Sequence, residues 1–167
     1  MHGQVAVVTG SGQGIGRGIA WALADAGCDV AINARRRADL DETAAGIEAR
    51  GRRALVFAGD IRDRSEELGA LTMAELGRLD CWVCNVGGSD EKKTRALVDT
   101  PDDIWRSQLE LNLTTAFQGA KAAAPRMEPG SSIIMISSGA GMRGSPFTGP
   151  YAAAKAGMLN LMQTLCL

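Results

Sequence analysis

The stretch from Val5 to Gly16 constrains this chain more than any other part of it. Val5, Ala6, Val7 and Val8 form an apolar run without polar alternation, which reads as a strand buried on both faces. The glycines that follow permit a sharp backbone turn. Ile15, Ile19, Ala20 and Leu23 then recur at helical spacing. Strand, glycine turn and helix in that order aim the first N–H groups of the helix beyond the strand end. The helix dipole there favours an anion. Gly10-Ser11-Gly12-Gln13-Gly14-Ile15 is not G-x-G-x-x-G, because Ile15 takes the sixth position. Thr9, Gly10, Gly14 and Gly16 instead spell T-G-x-x-x-G-x-G. Between a strand and a helix, this pattern points to dinucleotide binding by Gly10, Ser11, Gly12, Gln13, Gly14, Ile15 and Gly16. An ordinary tight turn is the plainer alternative.

Strand and helix signals alternate along the rest of the chain. Strands are expected at 29–34, 53–57, 80–84 and 132–136, and helices at about 38–50, 65–76, 100–126 and 151–167. Thr100 is positioned to cap its helix, followed by Pro101, Asp102 and Asp103 in the first turn. This alternation predicts an α/β fold, a Rossmann-type doubly wound parallel sheet of about five strands with helices on both faces. The 167 residues suit a single domain, 1–167. With 46% apolar and 22% charged residues the chain is globular, and a net charge of −1 gives no reason to expect nucleic acid. No apolar run approaches the ~20 residues of a membrane span, and no signal-peptide core is visible, so a cytoplasmic location is expected.

Cys81-Trp82-Val83-Cys84 spells C-x-x-C, a redox or half-zinc spacing. It falls inside an expected strand, where residues three apart face opposite ways. The only histidine is His2 and there is no second C-x-x-C, so buried thiols and no metal site are expected.

Polar or glycine residues follow every strand: the glycine turn, Arg35-Arg36-Arg37, Asp60, Asn85-Val86-Gly87 and Ser137-Ser138. In an open α/β sheet that edge holds the ligand. The only tyrosine, Tyr151, stands four residues before Lys155, one of four lysines, so both share a helix face. A phenol ordinarily titrates near ~10, and an adjacent ammonium favours its ionised form. Tyr-x-x-x-Lys at the start of a helix is therefore a plausible acid/base device. No acidic residue ends the second strand. Arg35 and Arg36 stand there instead, and guanidinium suits phosphate, so NADP is expected over NAD. A solvated arginine loop is the alternative.

Thr9-Gly10-x-x-x-Gly14-x-Gly16, Asn112, Ser138 and Tyr151-x-x-x-Lys155, with thirteen residues from Ser138 to Tyr151, resemble the short-chain dehydrogenase/reductase family. The pattern is most similar to its 3-oxoacyl-acyl-carrier-protein reductase-like members. The resemblance implies an NADP- or NAD-dependent oxidoreductase acting on a small carbonyl or alcohol substrate. In it, Tyr151 exchanges the proton and Lys155 also binds the nicotinamide ribose. Ser138, preferred over Ser137, holds the carbonyl oxygen. Asn112 bends its helix and holds a relay water, and Asp60 with Ile61 lies at the adenine. Asn85, Val86 and Gly87 match only part of the family's N-N-A-G turn, since Cys84 and Val86 replace asparagine and alanine. A homodimer or homotetramer is implied, to which Leu109, Leu113, Phe117, Met158, Leu161 and Met162 are suited. Family members continue well beyond this length, so a C-terminal truncation is expected, and the piece could be inactive. A non-catalytic dinucleotide-binding module is the competing reading, and a methyltransferase leaves Tyr151 and Lys155 unexplained.

Overall fold

The computed structural model describes residues 1–89 and 95–166. They group into two compact units. One comprises Met1–Asn85 with Gln118–Ile134, the other Val86–Phe117 with Met135–Leu167.

In the first unit, β1 (Val5–Val8), β2 (Asp29–Ala34), β3 (Ala54–Ala58), β4 (Cys81–Cys84) and β5 (Ser132–Met135) form a sheet of order β3-β2-β1-β4-β5. The pairs β1/β2, β1/β4 and β2/β3 are parallel, with Val5 opposite Asp29, Ala6 opposite Cys81 and Val30 opposite Ala54. All residues of β1 and β4 are buried, as apolar runs without alternation require. The strand order reverses between β1 and β4, which is where such sheets take ligands.

The helices of this unit are α1 (Gly14–Asp25), α2 (Arg37–Glu48) and α3 (Ser65–Leu76). The inward face of α1 differs from the expected apolar stripe. Gly16, Ala20 and Ala24 are buried, whereas Ile15 is 69% exposed. Small residues let the helix lie close to the strands, and the larger Ile19, Trp21 and Leu23 are only half-buried. At the sheet's other end, Asp80 joins three strands. Its carboxylate accepts from the Val5 N–H at 2.8 Å, its N–H donates to the Val5 carbonyl at 2.9 Å, and its carbonyl accepts from Ser132 N–H at 2.9 Å.

The second unit contains α4 (Asp102–Leu109), a π-helical turn (Glu110–Thr114), the start of α5 (Thr115–Ala123) and α6 (Gly149–Leu165). The single helix expected over 100–126 is thus interrupted. Thr100 does not cap it: Pro101 holds that position, and the Thr100 hydroxyl donates back to the Ala96 carbonyl at 3.1 Å. Asp102 and Asp103 do occupy the first turn. Positions 90–94 of the expected 86–99 loop, and Leu167, lie outside the described residues. Among the described residues no helix is long and apolar enough to cross a membrane.

None of the four cysteines is in a disulfide; Cys28, Cys81 and Cys84 are buried. Burial, with the negative charge of neighbouring groups, pushes the Cys81 thiol up to about 11, which suits an inert thiol. The buried Trp82 Nε1 has no hydrogen-bond partner, and nothing in the structure explains it.

The Arg78 guanidinium, bonded to the Asp80 carboxylate at 2.6 and 2.7 Å, and the Val5 N–H hold that carboxyl below its ordinary value of 3.8. A depressed carboxyl stabilises the fold fully above its unfolded value and loses that contribution as pH falls through its folded value. Asp80→Asn should cost about 1–2 kcal/mol at neutral pH. The gap to wild type should narrow below pH 3.8 in urea unfolding curves measured across pH.

Candidate functional site

The glycine turn is held by close backbone contact and by side-chain hydrogen bonds to its carbonyls. A Cβ on Gly16 would collide with the Gly10 carbonyl and lie 2.5 Å from Asn85 Nδ2. Asn85 Nδ2 donates to the carbonyls of Thr9 at 2.9 Å and Gly10 at 3.1 Å. The Thr9 hydroxyl donates to the Val83 carbonyl and accepts from Asn85 N–H, both at 3.1 Å. Asn85 therefore ties β1 to β4 where Cys84 lacks an amide to do so.

Several of the expected cofactor-binding residues are buried and bonded within the protein. Ser11 is fully buried: its N–H donates to the Asn33 carbonyl, its hydroxyl to the Val8 carbonyl, and its own carbonyl accepts from Thr43. These bonds shape the turn. Gly12 is also buried, its carbonyl bonded by Arg17. Ile61 is 3% exposed and belongs to the core. What the turn presents to solvent is Gln13, Gly14 and Ile15. The first turn of α1 has neither a side-chain cap nor an acidic residue, so its donors and positive dipole end remain available to an anion.

Beyond β2, Arg36 is paired with Asp39, Arg37 with Asp41, and Arg35 is exposed. Asp60 accepts from the Arg62 guanidinium at 2.6 and 3.1 Å. That hydrogen bond, with help from the charge of Arg35, holds the Asp60 carboxyl below the ordinary carboxylate value. Sequence reasoning passed over Arg17, which reaches the carbonyls of Gly12 and Asp39 and the Thr43 hydroxyl. Its position immediately after Gly16 was the available signal.

The second unit gathers Asn112, Ser138, Tyr151, Lys155 and Gly87. Lys155 is 3% exposed, and its ammonium donates to the Ile136 carbonyl at 2.7 Å and touches the Met158 sulfur at 3.5 Å. It lies 5.7 Å from the centre of the Tyr151 ring. The Tyr151 hydroxyl makes no hydrogen bond to the described residues. Asn112 sits in the π-helical turn, fully buried. Its carbonyl accepts from Gly88 N–H at 2.8 Å and its amide donates to the carbonyls of Gly88 at 3.2 Å and Gln108 at 3.0 Å. Gly87, at φ +157°, passes so close that a Cβ would stand 2.6 Å from Asn112 Oδ1 and 3.0 Å from Lys155 Nζ. Val86 is half-buried beside it.

Ser138 caps the turn Gly139–Gly141 by accepting from Ala140 N–H at 3.2 Å. Ser137 is used differently: its hydroxyl donates to the Lys155 carbonyl at 2.9 Å. Leu97, Gly144, Ser145, Pro146, Gly149 and Ala152 line a groove of about 490 Å³ in this unit. Of the residues expected to meet a second copy, Met158 is fully buried against Lys155 and is excluded, while Phe117 and Met162 are 48% and 39% exposed.

A match to the short chain dehydrogenase family runs over residues 4–167. The chain belongs to that family. A (-)-trans-carveol dehydrogenase of Rhodococcus erythropolis is 35% identical, aligned over 100% of this chain and 66% of that protein. A 3-oxoacyl-[acyl-carrier-protein] reductase of Synechocystis is 34% identical over 97% of this chain and 66% of its own length. The crystal structure of carveol dehydrogenase from Mycobacterium avium in complex with NAD superposes with a TM-score of 0.93 at 31% identity, covering 99% of this chain and 65% of that one. This member of the short chain dehydrogenase family thus spans just under two thirds of the length of these relatives, and shares their Rossmann-type sheet.

Asn112→Leu should leave the Gly88 N–H and carbonyl without partners, at a cost of about 2–4 kcal/mol. The Gly88 amide should then exchange with deuterium faster than in wild type, relative to amides of β1.

Proposed function

We propose that the chain carries the nucleotide-binding and proton-transfer parts of an NADP(H)- or NAD(H)-dependent oxidoreductase interconverting an alcohol and a carbonyl compound. The observation that carries this reading is the buried Lys155 ammonium, fixed by the Ile136 carbonyl beside a tyrosine whose hydroxyl is left unbonded by the described residues. A buried cation is costly to hold, and its neighbourhood is where charge is expected to move. The NAD-bound relative supports a nicotinamide dinucleotide.

The residues present fit such a group. The Cβ-free approach at Gly16, the uncapped start of α1 and the exposed Gln13-Gly14-Ile15 tip suit a pyrophosphate and an apolar neighbour. Asp60 and Arg35 are available to the adenosine end. When bound, the nicotinamide supplies or accepts the hydride. Tyr151 donates its hydroxyl proton to the substrate oxygen during reduction and takes it back in oxidation. Lys155 offsets the negative charge that develops on the phenol oxygen as the proton leaves. Ser138, whose hydroxyl proton is not used by the turn it caps, donates to the same substrate oxygen. Asn112 acts here as a clamp on Gly88, keeping Gly87 beside the lysine. The apolar groove around Leu97 and Pro146 favours a small substrate with an apolar body. Exposed Phe117 and Met162 are compatible with assembly into a homodimer or homotetramer.

Tyr151→Phe should lower alcohol oxidation across a panel of apolar secondary alcohols by at least about a hundred-fold. Dinucleotide affinity, read by fluorescence titration, should stay within about two-fold of wild type. Turnover that survives the substitution overturns the proton-transfer role, and binding with no turnover in any variant favours a non-catalytic module. The exposed Arg35 supports NADP(H) over NAD(H). Steady-state rates should favour NADPH by about ten-fold, the worth of one charge-assisted contact.

A further inference from the structure

The three arginines after β2 are not equivalent. Arg36 Nε and Nη2 donate to Asp39 Oδ2 and Oδ1 at 2.8 and 2.6 Å, so one whole edge of the guanidinium is taken by one carboxylate. Asp39 is well placed to keep it. It stands in the first turn of α2, its carbonyl accepts from Arg17 at 3.3 Å, and its side chain is 27% exposed against 76% for Arg36. It also lies against the glycine turn, because a Cβ on Gly12 would come 2.8 Å from Asp39 Cβ. Arg37 is held by Asp41 at 3.1 Å and Arg17 by Glu42 at 2.6 Å. Arg35 alone of the three is in no ion pair among the described residues.

We propose that Asp39 is a specificity-determining residue, which by holding the Arg36 fork weakens capture of a phosphate on the adenosine ribose and leaves that contact to Arg35. The inference rests on the dinucleotide reading above. A phosphate monoester suits the same guanidinium edge as a carboxylate, since both offer two oxygens at matching spacing. At Arg36 it must therefore displace Asp39 or meet its negative charge. A ligand with a free 2′-hydroxyl has no such conflict.

Calorimetric titration with 2′,5′-ADP and with 5′-AMP tests this without relying on turnover. Asp39→Asn and Asp39→Ser both keep a small polar side chain in the first turn, and thermal unfolding shows which variants remain folded. Either should bind 2′,5′-ADP about five-fold more tightly than wild type, with 5′-AMP changed by less than about two-fold. The gain should vanish when Arg36→Ala is added. No gain, an equal gain for both ligands, or a gain that persists without Arg36 overturns the role of Asp39 while the nucleotide reading stands. Failure of the wild-type protein to bind either nucleotide overturns the nucleotide reading and this inference together.

Discussion

The turn after β1 can form only because Gly16 carries no side chain where it passes the Gly10 carbonyl. A methyl group there would meet both that carbonyl and the Asn85 amide. Because the contact is close, α1 begins directly above the end of β1, and Asn85 can reach the carbonyls of Thr9 and Gly10 together. Those two hydrogen bonds, with the Thr9 hydroxyl between β1 and β4, fix the point at which the strand order reverses. The burial of Gly16, Ala20 and Ala24 follows from the same geometry, since a larger residue on that face would push the helix from the strands.

Polar side chains near this turn divide by what they bond. Ser11 and Asn33 form a buried knot: Asn33 accepts Ser11 N–H, donates to Ser11 Oγ, and sends its amide to the carbonyls of Phe57 and Gly59. In the second unit Asn112 plays the comparable part, turning one amide to the Gly88 backbone and to Gln108. Buried polar groups unpaired in this way would each cost about 1–3 kcal/mol. Their pairing stabilises turns whose backbones would otherwise have no ladder partner.

The fold was legible because it rests on coarse signals. Apolar runs in β1 and β4 and the alternation of element types survive any error in a boundary, and the five strands lie within a residue or so of their expected places. The site was legible in part, through Tyr151 and Lys155 at one-turn spacing, which α6 does bring together. What failed depended on partners distant in sequence. Ile15 matched the helical period but is exposed, while Ala20 of the same stripe is buried and the close packing of Gly16 adds a contact that the period did not include. Thr100 had a capping side chain, but Pro101 began the helix one residue later and the hydroxyl found Ala96. The burial of Ser11 and Ile61 was likewise not visible in the motifs that hold them. The π-helical turn at Asn112 has no periodic signature. Only the resemblance to a family suggested a bend there.

Lys155 shows why the same few residues resist a purely structural explanation. Its ammonium is buried, donating to the Ile136 carbonyl and touching the Met158 sulfur. The chain's ion pairs at exposed arginines, Arg36 with Asp39, Arg53 with Asp29 and Arg78 with Asp80, lie at the surface, where a charge is cheaper to hold. An apolar residue at 155 could pack against Met158 without the cost of desolvating a charge. The ammonium stands 5.7 Å from the centre of the adjacent Tyr151 ring, close enough for its field to act there. A positive field at that phenol is what the proton-transfer role proposed for Tyr151 requires.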